Sequence, residues 1–342
     1  MSPSLLFFAW LAACAAPGLS PSLDLRGDGM SAAFPSDTTL IVGGDFLAAR
    51  RSALGAGVLA RAGMSAADLD AAVLAVGGPA AGAGAVDQVR VGCGDAGCAA
   101  LLEGDFASEF EGDPRGARLG QPLRKRLEEL DAGAIRTSAA PGALPGVDAV
   151  GRSGERYSLR VLSSEKAVVG DRAAVRAIRR SRGEELPGAE DAPPGAGLDL
   201  TRIDGDVPAG DLWIVAWDLE RLVSQASRRV ERGSPGAGNA LRERVARAVA
   251  NSPIPLEDIA TVALSVGLGS GGLDATPEQG IEARLRVRCQ SEGAALLLSV
   301  AMEAAAARSP EAIGVSVVRV GPVVEAVGAI GAPELLSLLE GG

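Results

Sequence analysis

Pro35-Ser36-Asp37-Thr38-Thr39-Leu40-Ile41-Val42-Gly43-Gly44-Asp45-Phe46 is answered further along the chain by Pro208-Ala209-Gly210-Asp211-Leu212-Trp213-Ile214-Val215-Ala216-Trp217-Asp218-Leu219. Each stretch opens on proline, runs through β-favouring apolar residues and stops at an aspartate followed by apolar residues at helical spacing. That is a strand feeding a helix, and its recurrence predicts a chain built twice on one plan. Met64 to Gly77 then aligns without a gap with Ile254 to Gly267, each a turn of helix running into a strand.

Working outward, the first copy continues with Val86 to Cys93, whose Val89 and Val91 alternate with Gln88 and Arg90 as in a half-buried strand. Cys98 to Phe106 reads as its returning strand, Gln121 to Asp131 as a charged helix, Tyr157 to Leu162 and Glu165 to Gly170 as a hairpin, and Asp171 through Ile178 as a short helix. The second copy offers an amphipathic helix on Leu219, Leu222, Val223, Ala226 and Val230 and another on Leu241, Val245, Ala248 and Val249. Strands Thr261 to Val266 and Ile281 to Cys289 follow, then an apolar helix from Ser291 to Ala307. Two last strands, Gly314 to Val320 and Val323 to Ile330, are joined by Gly321-Pro322. The expected fold is α+β: two tandem repeats, each an antiparallel sheet of approximate order β-α-β-β-α-β-β with helices on one face. The segments are a signal peptide with lipobox over 1–14, a flexible tether over 15–34, repeat 1 over 35–185, an acidic Pro/Gly linker over 186–207 and repeat 2 over 208–342.

Composition narrows the chemistry. The chain has 342 residues, 47% of them hydrophobic and 22% charged, enough apolar material for a substantial core. It contains no histidine, which removes the commonest general base and every Ser-His or Cys-His nucleophile. A net charge of −10 and a single tyrosine leave neither a basic stripe for phosphates nor an aromatic stacking platform, so nucleic acid is not an expected partner.

Leu5 to Ala13 is an apolar run too short to span a bilayer and of the length of a signal-peptide core. Leu11-Ala12-Ala13-Cys14 resembles the lipobox of bacterial lipoproteins, although Met1 to Ser4 carry no lysine or arginine. The resemblance implies that Cys14 receives the lipid and becomes the new amino terminus, and that Ala15 after it directs the protein to the periplasmic face of the outer membrane. The other reading is a secretory signal cut at an Ala13-Cys14-Ala15 site, which releases a secreted protein if Cys14 is not lipidated.

Cys93 and Cys98 flank the turn signal Gly94-Asp95-Ala96-Gly97 and are candidates for a disulfide in an oxidising envelope; the alternative is two reduced thiols at a strand end. Cys289 reads as a buried small hydrophobe. Asp45 and Asp218 read as helix N-caps, the alternative being two carboxylates related by the repeat that bind a cation or move protons. Gly267 to Gly272 looks like a phosphate loop but leads toward another strand, so it reads as a hairpin loop. Ser163-Ser164-Glu165-Lys166 spells S-x-x-K without its companion motifs and reads as a turn. Arg179, Arg180 and Arg182 complement the carbonyls at a helix end.

The openings and the closing Val168-Val169-Gly170-Asp171 are similar to those of tandem-repeat secreted proteins and lipoproteins of Gram-negative bacteria with GC-rich genomes, a group that brings no established activity. The expected function is that of a non-enzymatic cell-envelope binding or scaffold protein, held to the membrane by a lipid anchor, with an envelope protein or an apolar ligand as partner. The alternatives are a carrier of an apolar ligand and a carboxylate-dependent enzyme. No catalytic, cofactor-binding or metal-ligating residue is assigned.

Overall fold

Ile41 and Val42 at the centre of the opening stretch do form a strand, β1 (Leu40–Asp45). The computed structural model describes residues 31–45, 86–104, 132–138, 146–151, 156–163, 165–182, 197–203, 205–233, 236–250, 252–267, 281–308 and 314–330. They fall into two units, one taking the described residues up to Leu200 and the other those from Thr201 onward.

In the first unit β1 is followed by β2 (Val86–Gly94), β3 (Gly97–Gly104), β4 (Ala132–Ser138), β5 (Gly146–Gly151), β6 (Arg156–Val161) and β7 (Lys166–Asp171). Their order in the sheet is β1-β2-β3-β7-β6-β5-β4, and every neighbouring pair is antiparallel. Helix α1 (Arg172–Ser181) leaves β7 directly and packs against β3, β6 and β7, burying Ala174, Val175 and Ile178 at helical spacing. Leu101 and Val168 on one face of the sheet, and Leu102 and Leu159 on the other, are buried as well. The β6–β7 hairpin and α1 are where the spacing predicts them, and Ser163 in the S-x-x-K stretch lies in the turn, its amide bonded to the Lys166 carbonyl at 3.1 Å. The hairpin β4–β5 is an addition that the periodicity does not announce. The helix expected over Gln121 to Asp131 lies outside the described residues, as do Phe46 and Met64 to Gly77.

Both ends of this unit reach beyond the expected boundaries. Ser31–Ala33 is a 3-10 turn, and Phe34, at the end of the stretch read as a tether, is fully buried. Phe34 lies flat on Gly92, where a Cβ would stand 2.3 Å from its ring. Its carbonyl accepts from the Leu198 amide at 2.7 Å, and Pro35 bridges Gly197, so part of the stretch read as a linker closes the unit.

The second unit comprises β8 (Leu212–Trp217), α2 (Leu219–Gly233), α3 (Ala237–Ala250), β9 (Ile259–Gly267), β10 (Ile281–Cys289), α4 (Glu292–Ala306), β11 (Gly314–Val320) and β12 (Val323–Ile330). The sheet order is β8-β9-β10-β12-β11, again antiparallel throughout. One sheet face carries Leu285, Val287, Val324 and Ala326, and these form a core with Ala294 and Ala295 of α4. Ser291 starts that helix, its side chain accepting from the Ala294 amide at 3.1 Å. Between α2 and α3 the Glu231 carboxylate accepts from the Gly236 and Gly238 amides at 2.8 and 2.9 Å. The Gly236 amide above all, with those of Gly238 and Asn239 and the Arg242 charge, holds that carboxyl below its usual range.

The order β8-β9-β10-β12-β11 is the order β1-β2-β3-β7-β6 with the numbers changed. A helix packs on the three corresponding strands in each unit, but α1 follows β7 whereas α4 precedes β11. What is established is a mixed α+β architecture dominated by antiparallel sheet.

Candidate functional site

The sheet face of the second unit opposite α4 buries charge. Strand alternation sends Arg286 and Arg288 of β10 to that face, and the register sets Glu325 of β12 and Ala263 of β9 beside Arg286, and Thr261 of β9 beside Arg288. Arg286 donates from Nε to Glu325 Oε2 at 2.7 Å and from Nη1 to the Gly205 carbonyl at 2.6 Å. The two side chains are 3% and 1% exposed. Asp206, also buried, takes Arg288 Nε on Oδ1 at 2.7 Å and the Thr261 hydroxyl on Oδ2 at 2.6 Å. Arg288 itself is 40% exposed, so its outer edge reaches water. The segment Gly205 to Gly210 lies across the strands, with the Ala209 carbonyl accepting from Ser265 Oγ at 3.2 Å.

Chemically the arrangement pairs each buried carboxylate with a guanidinium and meets it with further donors. Such a network is costly to break and specifies one packing of segment 205–210 over the sheet. The sequence patterning does not point to it. Arg284, Arg286 and Arg288 alternate with apolar residues as they would on a solvated face, and Asp206 sits in the stretch read as a linker. The available signal is Glu325, a charge centred in an apolar strand.

The first unit has a smaller cluster. Asp148 of β5 accepts from Ser158 Oγ at 2.8 Å and from Arg160 Nη2 on both oxygens at 2.8 Å, with Arg172 at 3.9 Å. Burial alone would raise its carboxyl, but the Ser158 and Arg160 bonds and the charges of Arg160 and Arg172 outweigh it and hold the group below its usual value.

Cys93 and Cys98 face each other across β2 and β3 at disulfide distance, with Cα atoms 4.1 Å apart. The connection is shorter than the sequence suggests, because β2 extends to Gly94 and β3 begins at Gly97. Two carboxylates clasp it: Asp37 accepts from the Asp95 amide at 2.8 Å and Asp171 from the Cys98 amide at 2.7 Å. Gly97 is required on two counts, its φ of +116° and the 2.3 Å that would separate a Cβ from Asp171 Oδ2.

Asp218 caps α2, its Oδ1 accepting from the Arg221 amide at 3.3 Å. It does so at φ +47°, a left-handed conformation that aspartate tolerates better than most residues. Asp45 ends β1 opposite Gln88, and the helix it is expected to cap lies outside the described residues. Cys289 is a free, buried thiol in the core under α4; burial, and then the Asp258 charge, push its pKa up. Cys14 lies outside the described residues.

One surface feature remains. α4 exposes Leu296, Leu297 and Val300 at 50%, 57% and 57%. No helix among the described residues is long and apolar enough to cross a membrane. No family model matches the chain, and neither a characterised protein nor a solved structure matches it at a significant level.

Proposed function

We propose that this chain is a cell-envelope lipoprotein, anchored through Cys14 in the outer membrane, that acts as a non-enzymatic binding or scaffold protein. The observation that carries the binding role is the exposed apolar face of α4, three large aliphatic side chains next to one another on a helix that otherwise buries only its sheet-facing side. The anchoring role rests on the lipobox-like Leu11-Ala12-Ala13-Cys14 and its preceding apolar run. The scaffold is a tandem duplication in this reading: the two openings, Pro35 to Asp45 and Pro208 to Asp218, feed sheets of the same five-strand order, and β4–β5 is an insertion into the first copy.

Two measurements test the proposal. Metabolic fatty-acid labelling and detergent partitioning should follow the wild type and be lost in Cys14→Ser; unchanged behaviour of the variant rejects the anchor. A photo-crosslinking residue at Leu297 should give protein adducts in intact cells, while the same residue at the exposed Thr201 should not; no adduct at Leu297 rejects α4 as a contact surface.

A further inference from the structure

We propose that the exposed face of α4 is covered by the same face of a second copy of this chain, with the two helices antiparallel about Val300. The inference rests on the binding-protein reading and names its partner. Glu292, Leu296, Val300, Ala304 and Arg308 follow one another at intervals of four along α4 and the turn after it, and all are exposed. Reversing this row about Val300 sets Glu292 against the second copy's arginine, Leu296 against its small Ala304, and Val300 against itself. Charge and size are therefore complementary in one operation, the isologous pairing that a two-fold axis demands. A parallel pairing would oppose like charges, stack leucine on leucine and leave alanine facing alanine. Glu292 lies eight residues from the centre, ~12 Å along the axis, and setting a row of four-residue spacing against itself is the packing that crosses two helices at about 50°, which keeps the two rows aligned out to these ends.

The test uses the full chain carrying Cys14→Ser, so that lipid does not drive association. Sedimentation over a range of concentrations should show a monomer–dimer equilibrium, and Val300→Glu should abolish the dimer while the urea midpoint followed by tryptophan fluorescence is retained. Glu292→Arg or Arg308→Glu alone should weaken the dimer about tenfold, and the two together should restore it, because the reversed charges again face each other. Val300→Cys should crosslink with a short bismaleimide and Leu296→Cys should not; the remaining thiol, Cys289, is buried in the core. A monomer at every concentration, or a dimer that survives Val300→Glu, overturns the proposal. So does binding to phosphatidylcholine vesicles that Val300→Glu abolishes, which would give the face to lipid. If the chain is monomeric while Leu297 still crosslinks to another envelope protein, self-pairing falls and the binding role stands.

Discussion

Removing Glu325 should be the most damaging single change in the second unit. Its carboxylate is 1% exposed and faces a guanidinium that is 3% exposed. In Glu325→Ala the Arg286 charge keeps its bond to the Gly205 carbonyl but loses its counter-ion where water cannot replace it. Breaking such a pair from one side costs about 3–5 kcal/mol. Replacing both partners by apolar residues of similar volume, Arg286→Met with Glu325→Leu, removes the stranded charge, and exchanges of this kind are neutral or stabilising by about 1–4 kcal/mol. Set against that gain is the Gly205 carbonyl left without its donor, at about 1–3 kcal/mol. The double variant should therefore lie within about 3 kcal/mol of the wild type, and the coupling energy should exceed the ~0.5 kcal/mol expected of independent sites. Urea unfolding followed by tryptophan fluorescence reads this unit, because Trp213 and Trp217 both lie in β8 and a Trp10→Phe background silences the third tryptophan. A Glu325→Ala cost below about 1 kcal/mol, or strictly additive single changes, would refute the reasoning.

Asp148 makes the first unit acid-sensitive. Its folded pKa is lowered, so its contribution is fully present above the unfolded carboxylate value of about 3.9 and is lost as the pH falls through the folded value. Thermal melts by circular dichroism should place Asp148→Asn below the wild type at pH 7, with the gap closing as the pH falls from about 4 through the lowered folded value; a constant gap would contradict this. Replacing both Cys93 and Cys98 by alanine should cost about 2 kcal/mol or less, since a link between residues five apart closes only a short loop. In that variant hydrogen exchange should still find the backbone amide at position 98 protected by Asp171. Gly97→Ala meets both a disfavoured φ and the Asp171 carboxylate, and should lower stability by about 1–3 kcal/mol, measurable as a shifted denaturation midpoint.

Elements whose residues alternate or repeat strongly were legible in the sequence. β11 and β12 meet at Gly321-Pro322 as predicted, α4 begins after Ser291, and α2 begins after Asp218 with the aspartate as its cap. Local chemistry decides such features. β4 and β5 were not legible, because Ala132–Ser138 and Gly146–Gly151 are mostly small residues whose strand state depends on pairing, β5 with β6 and β4 with β5, rather than on propensity. The buried ion pairs were hidden for a related reason. Alternation tells which residues share a sheet face but not whether that face meets water, and here Gly205 to Gly210 lie across it. The burial of Phe34 likewise depends on Gly92, distant in sequence, offering a flat place for its ring.

The position of β4–β5 bears on how this chain tolerates added length. The hairpin interrupts the chain between β3 and β6, yet in the first unit's sheet it lies outside β6, at the margin, and β3 pairs with β7 without it. A detour that leaves from the interior of the sequence and returns at the rim of the sheet can grow, shrink or be exchanged without disturbing the strands it bypasses. An epitope tag or a reporter domain spliced between β4 and β5 should therefore leave the rest of the unit folded, which makes that connection the natural handle for following the protein in cells.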